Sequence, residues 1–230
     1  MRFKELIAKG KFTLVASLPA NNLDLAKAAL AGGAEALKVH LNLRHRASGN
    51  TLGDFKANRQ FLEDLIKLAG GTPVGLVPGG EEAFITEEEL AELENLGVDF
   101  FSSYAGHLPA FMMQSRRLSK MVAIDHGYTQ NTLDAVRDSE IDILEASIMA
   151  ADQYGKPLRY DDLLTYSDIV KKTAKPVLIP TQKKILPSET AALFKAGCKA
   201  LMIGAIVAGD GSPGDWEKTS AAFRKAIAAL

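Results

Sequence analysis

The sequence has little of what disulfide-bonded, metal-binding or membrane-spanning proteins require. Its single cysteine, Cys198, cannot form an internal disulfide, and no cysteine cluster exists for zinc or an iron–sulfur centre. No window reaches the roughly 18 apolar residues of a membrane span. The N-terminal segment lacks the apolar length and the order of a signal peptide. We therefore expect a cytoplasmic protein with no membrane partner.

The sequence also lacks an excess of charge of one sign. Lys and Arg number 27 against 28 Asp and Glu, for a formal net charge of −1. No global field would hold a polyanion, so we expect no nucleic-acid partner. Aromatic residues make up only 7% and form no stacking platform for single strands. Any anionic ligand must therefore be bound locally.

What the sequence does have is a repeated alternation. Eight short apolar runs typical of strands alternate with segments of helical periodicity, at 12–18, 36–43, 73–78, 99–104, 121–126, 142–149, 176–182 and 200–207. Such alternation is typical of βαβ units in a parallel sheet. Eight units in 230 residues predict an α/β protein with one (β/α)₈ TIM-barrel domain over residues 1–230.

A doubly wound open sheet is the alternative architecture. It usually carries a glycine-rich loop after its first strand, where this chain has Pro19-Ala20-Asn21-Asn22. Helix starts are marked by the capping residues Asn22, Asp54, Thr86 and Thr129. A last, short helix is predicted to begin at Pro213-Gly214-Asp215, near a phosphate site.

Polar residues on the predicted second strand provide the sharpest chemical signal. Lys38, His40 and Asn42 alternate with apolar residues, so their side chains should point into the barrel. Asp125 and Glu145 are expected to face inward from the fifth and sixth strands. A lysine and two acids in one small barrel would perturb each other's pKa values, as proton-transfer sites require.

Lys38, Asp125 and Glu145 are therefore the candidate catalytic residues. The structural alternatives are an ion pair in which Glu145 only neutralises Lys38, and a capping role for Asp125 in the loop that follows it. Two long loops, 44–55 and 150–160, lie on the face where barrel active sites form.

A phosphate site is predicted after the seventh and eighth strands, where barrels often bind phosphorylated ligands. Small residues there permit close approach to backbone N–H groups, although glycines in such loops are often only turn residues. The candidate phosphate-binding residues are Gly204, Ala205, Gly209 and Gly211. The candidate substrate-binding residues are His40, Asn42, Arg44, Ser147 and Lys183.

The loop after the second strand reads Arg44-His45-Arg46-Ala47-Ser48-Gly49-Asn50. It could close over an anionic or polyhydroxylated ligand, or it could be a solvated basic loop. The histidines and acids show no metal-site spacing, so we expect no metal and no other cofactor.

The stretch from the sixth strand to the C-terminus resembles the ribulose-phosphate-binding barrel superfamily, most of all the N-acetylmannosamine-6-phosphate 2-epimerase family. About ninety residues carry the likeness: Tyr154-Gly155 in a long loop, Pro176-Val177, a helix ending Ala196-Gly197, and the strand Met202-Ile203-Gly204-Ala205-Ile206. The resemblance implies a sugar phosphate held by the last two loops. Barrels of this kind often dimerise, so a homodimer is compatible with it, although no interface is evident in the residues.

The sequence departs from that family at its catalytic positions. The resemblance implies a lysine on the third strand and a glutamate at the end of the seventh, where this chain has Val77-Pro78 and Pro180-Thr181. Acid–base groups would then have moved to Lys38, Asp125 and Glu145. We predict a metal-independent sugar-phosphate epimerase or isomerase. The alternatives are a lyase or aldolase that forms a Schiff base at Lys38, and a barrel that only binds a phosphorylated metabolite.

Overall fold

The computed structural model describes residues 2–209 and 211–230. Eight parallel strands form a closed barrel in the spatial order β1-β10-β9-β8-β7-β6-β5-β2. They are β1 (Thr13–Ser17), β2 (Ala36–His40), β5 (Val74–Val77), β6 (Phe100–Tyr104), β7 (Ser119–Ile124), β8 (Ile143–Ala146), β9 (Val177–Pro180) and β10 (Ala200–Ile203). A separate antiparallel hairpin joins β3 (Leu43–Arg44) to β4 (Thr51–Leu52). The predicted (β/α)₈ barrel is confirmed.

Helices surround the barrel and cover its strands. They are α1 (Phe3–Lys9), α2 (Leu23–Ala31), α3 (Phe55–Ala69), α4 (Glu87–Leu96), α5 (Gln130–Asp138), α6 (Tyr160–Thr173), α7 (Thr190–Lys195), α8 (Ala205–Ala208) and α9 (Pro213–Ala228). Short 3₁₀ turns lie at Ala110–Gln114, Ala151–Gln153 and Pro187–Glu189. The first of these stands after β6, where the alternation would place an α-helix. None of the described helices is long and apolar enough to cross a bilayer.

The predicted helix starts are confirmed by their hydrogen bonds. The side chains of Asn22, Asp54, Thr86 and Thr129 each accept a backbone N–H from the first turn of the following helix. A side-chain cap satisfies one of the N–H groups that a helix start otherwise leaves without an acceptor, which is worth about 1 kcal/mol. Local sequence therefore determines where these four helices begin.

The last strand is shorter in the structure than the predicted range 200–207. β10 ends at Ile203, and the N–H groups of Val207 and Ala208 donate to the Gly204 carbonyl at 3.1 and 3.0 Å, which turns the chain into α8. The predicted short C-terminal helix is instead the 16-residue α9, which packs against α2 on the outside of the barrel. No residue of α9 is among those that line the cavity described below.

The lower half of the barrel is filled by apolar side chains. The N-terminal helix α1 inserts Phe3 and Ile7 into this cluster, and the Phe3 ring stacks on Phe100 with centroids 3.8 Å apart. Gly75 makes room for Phe100, because a Cβ at that position would lie 2.4 Å from the ring. Apolar protein interiors are close-packed and leave little room for water, so this cluster forms the floor beneath the upper half of the barrel.

Candidate functional site

A cavity of about 490 Å³ opens above this floor, at the carboxyl ends of the strands. Its size lies in the range typical of small-molecule sites. Polar and charged groups from all sides line it, among them Ser17, Lys38, His40, Asn42, Arg44, His45, Arg46, Ser102, Tyr104, Glu145, Ser147, Tyr154 and Gln182. Gly204, Ala205 and Ile206 line it as well.

Lys38 and Glu145 meet across the centre of the barrel. Lys38 lies on β2 and Glu145 on β8, four strands away around the barrel, so the two side chains approach from opposite walls. Their Nζ and Oε2 atoms are 3.5 Å apart, and each residue is only 5% exposed. The same Oε2 accepts a hydrogen bond of 2.5 Å from the Ser102 hydroxyl on β6.

This ion pair is expensive to bury, because both charges leave water. Apolar side chains fill the barrel directly below the ion pair, and apolar side chains at these two positions would continue that core without the desolvation cost. Buried ion pairs are weak evidence for stability, whereas an acid and a base in contact within a cleft are typical of functional sites. The pair therefore marks the candidate reaction centre.

A second polar group lies beside the ion pair and carries no formal charge. The Gln182 Nε2 donates to the Ser147 hydroxyl at 2.9 Å and to the Tyr154 hydroxyl at 2.7 Å. The Tyr104 hydroxyl lies 2.7 Å from the Ser147 hydroxyl. Burial raises the pKa of Tyr104 far above its usual value, so its hydroxyl stays protonated. We call Tyr104, Ser147, Tyr154 and Gln182 the hydroxyl cluster.

Two histidines lie near Lys38 at the mouth of the barrel. The rings of His40 and His45 have centroids 4.6 Å apart, and the buried Nδ1 of His40 has no hydrogen-bond partner among the described residues. Burial, followed by the charge of Lys38, lowers the pKa of His40 well below its usual value and that of His45 to about 4. Both imidazoles are therefore neutral near pH 7.

The hairpin β3–β4 forms one wall of the cavity and is fixed to the barrel. The side chains of Ser48 and Asn50 donate to the Pro19 carbonyl at 3.2 and 3.1 Å. Asn42 starts the hairpin in a left-handed conformation, with φ +54°, and its Nδ2 donates to the Pro78 carbonyl at 3.1 Å. The loop is thus ordered by polar contacts, while the side chains of Arg44 and Arg46 remain exposed at the rim.

Asp125 does not join the site, which corrects the prediction that it faces inward. β7 ends at Ile124, so the alternation of the strand no longer controls the direction of the next side chain. Asp125 is exposed, is not among the cavity-lining residues, and its Oδ1 accepts the Gly127 N–H at 2.8 Å. The structural alternative, a capping role in the loop, is what the geometry shows.

Lys183 and two of the four phosphate candidates also lie away from the cavity. Lys183 is 5% exposed and pairs with Asp162 of α6 at 3.5 Å, while its Nζ donates to Gln153 at 3.3 Å. Gly209 and Gly211 are exposed and do not line the cavity, because α8 carries the chain away from it. Of the phosphate candidates, only Gly204 and Ala205 line it.

Four residues that line the cavity were not expected from the sequence: Ser102, Tyr104, Tyr154 and Gln182. A signal for the first two existed, because Phe100, Ser102 and Tyr104 alternate along β6 and share its inward face. Tyr154 and Gln182 lie outside regular strands, and only the folded loops bring them together. Among the described residues, no group of three His, Cys, Asp or Glu side chains is arranged to hold a metal ion.

Comparison with known proteins identifies the fold. No family model matches the chain, and no curated protein sequence matches it. Among solved structures, the thiamine phosphate pyrophosphorylase of Pyrococcus furiosus superposes with a TM-score of 0.68 and 13% identity, covering 96% of this chain and 98% of that one. The phosphoribosyl anthranilate isomerase of Thermus thermophilus gives 0.67 and 14%, covering 95% and 100%.

The tryptophan synthase A-subunit of Pyrococcus furiosus is similar to the same degree. It gives a TM-score of 0.72 and 12% identity over 94% of this chain and 99% of that one. At these identities the likeness establishes the barrel fold and leaves the reaction open. The barrel fold expected from the resemblance is thus confirmed. The specific likeness to the epimerases is not shown by these comparisons.

Proposed function

We propose that the protein is a metal-independent enzyme that moves a proton next to the carbonyl group of a phosphorylated sugar, as an epimerase or an isomerase. The observation that carries the proposal is the Lys38–Glu145 pair, held across the barrel at the bottom of an open cavity. A carboxylate and an ammonium in contact supply a base for the carbon-bound proton and an acid that returns or relays one.

The rest of the cavity is consistent with a polar, phosphorylated substrate. Gly204 and Ala205 line one wall just after β10, where barrels often bind phosphate. The Gly204 N–H donates to the Thr181 hydroxyl at 3.0 Å, and the absence of a side chain at Gly204 allows a phosphate to approach this wall closely. The names of two structural neighbours, thiamine phosphate pyrophosphorylase and phosphoribosyl anthranilate isomerase, refer to phosphorylated compounds.

Hydrogen exchange at carbon tests the reaction directly. The purified protein would be incubated in D₂O with a panel of phosphorylated sugars, including N-acetylmannosamine 6-phosphate, and the loss of proton signal next to the carbonyl followed by NMR. We expect Glu145→Gln to slow exchange by about 10²-fold or more, because the general base is lost. Glu140→Gln removes a surface carboxylate, paired with Lys120 at 3.0 Å, and serves as the matched control.

Two other outcomes would replace the proposal. Reduction with borohydride in the presence of a substrate that leaves a covalent adduct on Lys38 would support the Schiff-base lyase or aldolase. Thermal stabilisation by phosphorylated sugars without any exchange would support a barrel that only binds them. Absence of both binding and exchange across the panel would contradict the whole proposal.

A further inference from the structure

The orientation of the Gln182 amide fixes the direction of the hydrogen bonds in the hydroxyl cluster. The Gln182 Oε1 accepts the backbone N–H of Met149 at 3.1 Å. A flipped amide would place two donors against each other, so the Nε2 must face Ser147 and Tyr154. An amide NH₂ group only donates, and the Tyr154 oxygen is therefore the acceptor in its 2.7 Å hydrogen bond with Gln182.

This assignment leaves protons free to point at a ligand. The hydroxyl of Tyr154 donates to no group within residues 2–209 and 211–230, so its own proton is unused. In the Tyr104–Ser147 pair, one hydroxyl donates its proton to the other. The hydroxyl that accepts keeps its own proton free, whichever of the two it is. The cluster thus offers two O–H donors to the cavity, and all three hydroxyl-bearing residues line it.

Two free donors and no charged acceptor suit an oxygen atom that gains negative charge. We infer that the hydroxyl cluster is an oxyanion hole, which holds the carbonyl oxygen of the substrate and stabilises the enolate formed from it. The inference rests on the proposed proton transfer and assigns catalytic contacts to Tyr154 and to the Tyr104–Ser147 pair. Gln182 is a positioning residue, because it acts only by orienting two of these hydroxyls.

The positions of the charges agree with this assignment. Ser102, which hydrogen-bonds the Glu145 carboxylate, and Tyr104 share the inward face of β6, so the proposed base lies next to the proposed oxyanion hole in the same cavity. Glu145 would take the proton from the carbon next to the carbonyl. The electron pair of the broken C–H bond forms the carbon–carbon double bond, and the carbonyl π pair moves onto the oxygen, which accepts from the two hydroxyls.

The loop that carries Tyr154 is held in place from two sides. The Gly155 N–H donates to the Gln182 carbonyl at 2.8 Å, and Lys183 bonds Gln153 while paired with Asp162 of α6. The buried Lys183–Asp162 pair therefore has a use that does not involve phosphate. It keeps the loop 150–160 against β9 and so holds the Tyr154 hydroxyl in place. Ordering a mobile loop on binding would weaken the affinity for a ligand.

Binding of an enolate mimic tests the inference without requiring a known substrate. Phosphoglycolohydroxamate carries an anionic, enediolate-like oxygen and a phosphate, and inorganic phosphate serves as the comparison probe in isothermal titration calorimetry. We expect Tyr154→Phe to weaken hydroxamate binding by about 10- to 100-fold, the value of a hydrogen bond to a charged group, and to change phosphate binding by less than about twofold. Tyr160→Phe, at a tyrosine 74% exposed on α6, is the matched control and should change neither.

The Tyr104–Ser147 pair gives a sharper test, because its two hydroxyls can substitute for each other as donors. Tyr104→Phe leaves the Ser147 proton free, and Ser147→Ala leaves the Tyr104 proton free. Each single variant should bind the hydroxamate within a few-fold of the wild type, while the double variant should lose about as much as Tyr154→Phe. Such non-additivity is not expected from simple damage to the fold, which far-UV circular dichroism would also reveal.

The outcomes separate the inference from the proposed function. Tight hydroxamate binding that survives both Tyr154→Phe and the double variant would overturn the oxyanion hole and leave the proposed proton transfer standing. Wild-type protein that binds phosphate but shows no preference for the hydroxamate would also overturn it. Wild-type protein that binds neither probe would overturn the oxyanion hole and the phosphorylated substrate together.

Discussion

Removal of one member of the Lys38–Glu145 pair should destabilise the fold, because the other charge is left buried without its partner. Lys38→Met removes the ammonium and keeps most of the side-chain volume. It leaves the Glu145 carboxylate, which is buried in the wild-type barrel, with the Ser102 hydroxyl as its hydrogen-bond partner. Removal of one partner from a buried pair costs about 3–5 kcal/mol. Because Ser102 remains and the cavity is open, we expect a loss of about 2–3 kcal/mol in the free energy of unfolding.

The double variant Lys38→Met with Glu145→Gln should recover most of that loss. The amide retains a hydrogen bond with Ser102 and carries no charge, so no uncompensated ion remains in the barrel. The expected coupling between the two sites is about 2 kcal/mol. A double variant nearly as stable as the wild type would show that the charges contribute little to the fold, as expected for residues kept for a reaction.

Equilibrium unfolding in urea measures both quantities. Trp216 is the only tryptophan and is fully buried, so its fluorescence reports tertiary structure while circular dichroism at 222 nm reports the helices. Coincident transitions would justify a two-state free energy. A loss of less than about 0.5 kcal/mol for Lys38→Met, or effects of the two substitutions that simply add, would contradict a stability cost from the unpaired charge.

Three further predictions concern the barrel floor, the mouth of the cavity and the lone thiol. Gly75→Ala should lower the free energy of unfolding by about 1–3 kcal/mol, because its Cβ would meet the Phe100 ring at 2.4 Å; Gly106→Ala, with no atom nearby, is the control in the same thermal melts. The pKa of His45 is lowered to about 4, so the unfolded chain binds more protons between pH 6.5 and 4. The melting temperature should therefore fall as pH drops through this window, and His45→Asn should reduce that slope, while His40, whose pKa is also lowered, supplies the remainder. Burial raises the pKa of Cys198 to about 12, so Ellman's reagent should react with it only after unfolding, and rapid reaction of the native protein would contradict its buried position.

Sequence alone determined the architecture of this protein. The alternation of apolar runs with helical segments predicts a barrel, and the capping residues set the starts of four helices, because both signals act between residues close in the chain. The strand period of two also identifies Lys38 and Glu145 as inward-facing. Both of those expectations agree with the structure, where the two side chains line one cavity.

Only the tertiary structure decided which polar residues share the site. Lys38 and Glu145 lie 107 positions apart in the chain, and their contact depends on closure of the barrel and on the stagger of its strands. The alternation fails just beyond a strand end, so Asp125 turns outward and Gly209 and Gly211 follow α8 away from the cavity. Where a strand stops depends on turn hydrogen bonds and on packing with other segments, which the local pattern does not encode.

The hydroxyl cluster also contains residues that the local sequence pattern does not predict. Tyr154 and Gln182 have no periodic signal, and they meet because the loop 150–160 is fastened to the end of β9 through Gly155 and Gln153. Lys183 looked like a ligand-binding cation in the sequence, but its side chain leaves the barrel and pairs with Asp162. Sequence therefore determined the barrel and the face on which a site would form, and the loop contacts that close over that face determined which groups the site contains.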